Sequence, residues 1–116
     1  MMRRGGMLLA LLLAGAAVPA AAASDRFVAF NMTATTDITG LYLAPAGTQS
    51  WGPNQVLNDP DKLLEHGERL KLTGITHQRY DARIVFAKGK TCIKHGIDLT
   101  RDPTFDIRDA DLAACR

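Results

Sequence analysis

Two cysteines, two serines and a single tryptophan are all that 116 residues contain of those types. The shortage excludes much chemistry. A serine hydrolase needs a nucleophile beside a base and an orienting acid. Only Ser24 and Ser50 are candidates, and neither sits in a G-x-S-x-G turn. Covalent haem attachment needs C-x-x-C-H, whereas "TCIKHG" puts Lys94 where the second cysteine belongs. Copper through Cys92 and His95 is disfavoured as well. Residues three apart on a strand point to opposite faces, and copper needs convergent ligands. No pair among His66, His77 and His95 has zinc spacing. Asp59 and Asp61, and the tail acids Asp106, Asp109 and Asp111, miss the calcium-loop pattern. Asp109 and Asp111 read instead as a helix cap and a solvated face. The expectation is no metal, no cofactor and no enzyme.

Charge of one sign is also scarce. The formal charge of +2 is carried by Arg3 and Arg4, and the 12 remaining Lys and Arg match 12 Asp and Glu. Without those two arginines the chain is neutral. Nothing steers it to nucleic acid or to an anionic membrane surface.

There is one long apolar run, and it lies at the start. Arg3 and Arg4 precede Met7 to Val18, Pro19 breaks the run, and small residues follow to Ala23. Ala21 and Ala23 give the A-x-A spacing of signal peptidase. The run is short for a membrane span of about 20 residues. Residues 1–23 therefore read as a cleavable signal peptide, with the cut between Ala23 and Ser24. Two glycines follow the arginine pair and no serine precedes it, which favours the general secretory route over the twin-arginine one. Residues 24–116 read as one periplasmic domain, free of the membrane once the signal is removed. In that oxidising compartment Cys92 and Cys115 should form a disulfide. Closing a loop of about two dozen residues contributes about 3 kcal/mol on the chain-entropy model.

The domain reads as strands separated by turns. "FVAFNMT" sets Val28, Phe30 and Met32 on one face. Asn31-Met32-Thr33 matches the glycosylation acceptor, but a strand is a poor place for it. "ITGLYLA" is apolar on both faces, as in a strand buried from two sides. Asp59 to Leu64 suggests a helical turn capped by Asp59, with Pro60 first. Around Arg69 to Thr73, Leu70 and Leu72 face inward. "YDARIVFA" and "KTCIKHGIDL" flank Lys88-Gly89, read as a two-residue hairpin turn. That turn pairs Val85 with Cys92, Ile84 with Ile93, Ala82 with His95 and Tyr80 with Ile97. Ile93 and His95 would then face the core, and Cys92 the more polar side. Phe105, Ile107 and Leu112 would pack on that side as the tail crosses it. The expected fold is all-β: a small antiparallel β-sandwich or partly open barrel of five to seven strands with one disulfide.

Candidate contacts are few. The turn-rich stretch from Pro45 to Leu64 carries Gln49, Trp51 and Asn54. Trp51 reads more readily as a plug over the open end of the sandwich than as an exposed contact. By alternation His77, Asp81 and Arg83 share a strand face. Asp81 and Arg83 read most simply as a surface ion pair, and an acid–base or metal site there is the less favoured reading.

Taken together, Phe27, Asn31 and Thr33, then Leu41 to Gly47, Trp51 to Leu57, Gly67 to Leu70, Tyr80 to Phe86 and Cys92 form a pattern. It resembles that of a group of small exported bacterial β-domain proteins. The resemblance implies a periplasmic β-domain and implies no activity. Members often carry a cysteine shortly before the Tyr-Asp pair, where this chain has His77-Gln78-Arg79. The resulting expectation is a non-enzymatic binding or accessory domain. It would act on another envelope protein, or serve as a small subunit of a periplasmic complex. An inhibitor of a cell-wall enzyme such as lysozyme is the alternative, and a small metal-binding or hydrolytic protein a further one.

Overall fold

The computed structural model describes residues 26–113 and 115. The expected signal peptide, residues 1–23, and the expected cut between Ala23 and Ser24 lie outside these residues. Six strands form two three-stranded sheets. They are β1 (Phe27–Asn31), β2 (Ile38–Pro45), β3 (Arg69–Leu72), β4 (Arg79–Phe86), β5 (Thr91–Asp98) and β6 (Thr104–Ile107). One sheet runs β3-β1-β6 and the other β2-β4-β5. No closed barrel forms among the described residues; the architecture is a small β-sandwich. A short helix, α1 (Asp109–Ala113), follows β6. One pairing is parallel: β6 lies beside β1 in the same direction, while the remaining pairings are antiparallel.

The inner face of the first sheet is Phe27, Ala29, Leu70, Leu72, Phe105 and Ile107. This inverts the expected face of β1, since Val28 and Phe30 are only half-buried and Met32 is exposed. Every position from Phe27 to Phe30 is apolar, so alternation does not choose a face. The polar residues choose it. Asn31 is fully buried, and its amide donates to the Thr36 carbonyl (2.9 Å) and the Leu64 carbonyl (3.0 Å). Its carbonyl accepts from the Thr33 N–H (3.1 Å) and hydroxyl (2.7 Å). A buried amide satisfied this fully is stable inside. It also leaves no room for a glycan on Asn31.

The inner face of the second sheet is Ile38, Leu41, Leu43, Tyr80, Ala82, Ile84, Phe86, Cys92 and Ile97, with Leu99 just beyond. Here two bulges overturn the expected pattern. The first lies in β2 between Ile38 and Gly40. It shifts the phase so that Ile38, Leu41 and Leu43 all face the core. The strand lies at the edge of its sheet and not in the middle, yet its outer face is covered as well: Gly40 and Ala44 are buried and Tyr42 is half-buried. The second concerns the hairpin. The Phe86 N–H donates to the Lys90 carbonyl, and the Gly89 N–H to the Phe86 carbonyl. The loop is thus three residues, Ala87 to Gly89, with Gly89 at φ +94 as such loops require. One extra loop residue slips the register, so Ile84 faces Cys92 and Arg83 faces Ile93. A bulge between Tyr80 and Ala82 takes up the slip, and Tyr80 meets Ile97 as expected.

The slip changes which side chains are inside. Cys92 is buried on the core face, and Ile93 and His95 move outward. The tail consequently closes over the core side of β5. Cys92 and Cys115 form the expected disulfide. Phe105 and Ile107 are core residues of the opposite sheet, and Leu112 packs at the rim. Asp111 is not a solvated face: it pairs with Lys94 on β5 (3.0 Å) and accepts from the Arg108 N–H (2.8 Å). Asp109 accepts from the Ala34 N–H.

The segment after β2 differs too. A single 3-10 turn spans Gln55–Asn58 with Asn54 as its cap, and Asp59 opens a tight turn instead of a helix. Asn54 binds the free edge of β2. Its carbonyl accepts from Leu41 N–H (3.0 Å) and its amide donates to the Thr39 carbonyl (3.2 Å). Gln55 does the same to Thr73, accepting from its N–H (3.0 Å) and donating to its carbonyl (2.9 Å). Two adjacent amides thus staple the two sheets together. No helix among the described residues is long and apolar enough to cross a membrane.

Candidate binding cleft

Gly40 sets the floor of the site. A Cβ there would meet the Tyr42 ring at 3.0 Å and Val85 at 3.1 Å. Its absence lets Tyr42 lie down along the outer face of β2. Arg83, the cross-strand partner of Tyr42, then places its guanidinium 4.5 Å from the centre of that ring. Trp51 returns on the turn after β2 and takes the same guanidinium at 5.3 Å. The turn is fixed by the Gly52 N–H donating to the Leu43 carbonyl (2.8 Å) and by Asn54. Trp51 is thus half-buried on the outer face and is not the expected plug; the core residue of this segment is Val56. Asn54, expected as a contact, is structural.

Beside Arg83 stands Asp81, almost fully buried at 6 % exposure. It makes no ion pair with Arg83 among the described residues. Its carboxylate accepts from the Gly47 N–H (3.0 Å) and the Gly96 N–H (3.1 Å), and faces His95 Nδ1 at 3.4 Å. Gly96 lies in the β5 bulge at φ +68, so the carboxylate fills the gap that the bulge opens. The Gly47 hydrogen bond is the largest of the influences that hold the Asp81 carboxyl below its ordinary value of 3.8; Gly96 and His95 add to it against the effect of burial. Ionised Asp81 only accepts, so Nδ1 is the donating nitrogen of His95 and Nε2 is left for solvent.

Together Arg83, Asp81, His95, Ile93, Trp51, Gln49, Thr48 and Gly47 line an open cleft of ≈480 Å³. The structure therefore brings Gln49, Trp51, Asp81 and Arg83 together, as named from the sequence. It separates His77, which turns to the Leu99 carbonyl (2.8 Å) and packs edge-on against Phe27. Sequence reasoning missed Tyr42, Ile93 and His95. The available signal was glycine inside a strand pattern, Gly40 and Gly96, which marks a bulge or a close approach. A second cleft, on the outer face of the other sheet, is lined by Arg26, Val28, Arg69 and Lys71.

No family model, curated protein or solved structure matches this chain. The role of the cleft therefore has to come from its own geometry.

Proposed function

We propose that this chain is an exported, non-enzymatic binding domain that docks another envelope protein on the outer face of the β2-β4-β5 sheet. Arg83 carries the reading. Its guanidinium is held by two aromatic rings, yet among the described residues it meets no hydrogen-bond acceptor and no carboxylate. Ordering a long side chain costs up to about 2 kcal/mol of rotamer entropy. A partner that supplies the missing acceptor recovers that cost. Trp, Tyr and Arg are also the residues that dominate interface energetics. The disulfide fits an oxidising compartment.

Two observations favour binding over catalysis and over loop insertion. The Asp81–His95 pair would orient a general base, but the cleft hydroxyl, Thr48, donates to the Pro45 carbonyl (2.8 Å). The Pro45–Asn54 segment is fastened to β2 through Gly52 and Asn54 and to Asp81 on β4 through Gly47, so it is tied down at three points. The test is affinity capture from periplasmic extract with wild-type protein and a Trp51→Ala/Arg83→Ala variant. A defined protein retained by the first and lost by the second is expected. Identical captures from both would refute the reading.

A further inference from the structure

We infer that the cleft recognises the free C-terminal carboxylate of a polypeptide whose last side chain is apolar. This rests on the binding-domain reading and names the ligand chemistry of the same site.

Arg83 still has hydrogen-bond donors to offer. The Tyr42 and Trp51 ring centres lie 4.5 Å and 5.3 Å from its guanidinium carbon and hold the charged group in place. Its N–H fork meets no acceptor among the described residues. Such a fork matches a planar two-oxygen acceptor, bound through two parallel hydrogen bonds. The charge count then selects among anions. Asp81 is nearly buried and committed to Gly47, Gly96 and His95. Arg83 is the one Arg or Lys lining the cleft, and Asp81 is its one carboxylate. With Asp81 already negative on the same wall, a carboxylate monoanion on the Arg83 fork meets less repulsion than a phosphate dianion.

The rest of the wall decides what bears the carboxylate. A sugar acid would present several hydroxyl donors in need of acceptors. Two of the cleft's side-chain acceptors are engaged: Asp81 takes three donors, and the Thr48 hydroxyl, which donates to the Pro45 carbonyl, accepts from the Ser50 N–H. What remains beside Arg83 is apolar, namely the Trp51 ring and the exposed Ile93. A peptide terminus has that composition, a monoanion one carbon away from an apolar side chain. His95 Nε2 and the Gln49 amide remain at the rim for the peptide backbone.

Trp51 is the sole tryptophan, so its emission reports on the site directly. The purified protein is titrated with acetylated tetrapeptides ending in leucine, as free acid and as C-terminal amide. Inorganic phosphate and glucuronic acid serve as comparison ligands. A saturable emission change with the free acid is expected, weakened about tenfold or more in the amide, the loss of one charge-assisted pair. Arg83→Lys keeps the charge, removes the fork and should weaken binding about tenfold. Equal binding of acid and amide, tighter binding of phosphate or glucuronic acid, or no saturable change with the free acid would each overturn the inference. The acid–amide comparison uses unaltered protein and does not depend on any variant folding. If capture from extract succeeds while peptides fail, the C-terminus inference alone falls; if capture fails, the binding-domain reading falls first.

Discussion

Asn54 and Gln55 use side-chain amides where strands use backbone. Removing Asn54 leaves the Leu41 N–H and Thr39 carbonyl on an edge without those partners. Asn54→Ala should therefore lower stability by about 2 kcal/mol, read from urea unfolding; no measurable change would contradict the staple. Nothing local in the sequence separates an amide that binds its own chain from one displayed for a partner, which is why Asn54 read as a contact. Gly40 gives a different outcome. A methyl there strikes Val85 or Tyr42, so Gly40→Ala should disturb the platform under Arg83 as well as destabilise the sheet. Loss of the Trp51 emission response in a folded Gly40→Ala protein would be the signature. Asp81 sets the pH response. Its carboxyl, and that of Asp98 held chiefly by the Thr100 hydroxyl, are both shifted downward. A depressed folded value gives stability that is full above the ordinary value of 3.8 and is lost as pH falls through the folded value. The urea midpoint should drop below about pH 4, and less steeply in Asp81→Asn.

At the scale of elements, the strands were legible and their faces were not always. Leu70 and Leu72 alternate cleanly with Arg69 and Lys71, and β3 lies as expected. In β1 an unbroken apolar run hid the face until Asn31 found its partners. In the hairpin, Lys88-Gly89 marked the turn correctly, but a two-residue and a three-residue loop share that signature and differ by one register step. The step moved Cys92 inward and His95 outward, and Gly96 took it up. Gly96→Ala would force an L-residue into the left-handed region with open space around its Cβ, costing about 1–2 kcal/mol by backbone strain alone. A loss much larger than that, measured by thermal melting, would mean that the bulge also carries packing.

For the whole molecule, composition and count reached furthest. Two cysteines in a small domain expected to be exported predicted the disulfide, and it joins β5 to the segment after α1. Cys115→Ser should cost about 2–4 kcal/mol, seen as a lower urea midpoint, because the domain is small and the loop long. The sandwich followed from the number of alternating segments. The parallel partnership of β1 and β6 did not, because pairing between chain ends is set by the closing of the core and not by any local pattern. The cleft was half legible: its charged members were named, and its aromatic platform depended on a glycine and two bulges. The proposed docking face is the outer face of the β2-β4-β5 sheet, and not that of the opposite sheet. The most direct measurement is site-specific photo-crosslinking in living cells, with the reactive side chain placed at Gln49 or, on the outer face of the other sheet, at Lys71. A discrete protein adduct from position 49 and none from position 71 is the expected result. Adducts from 71 alone, the same adducts from both positions, or none from either would contradict the account.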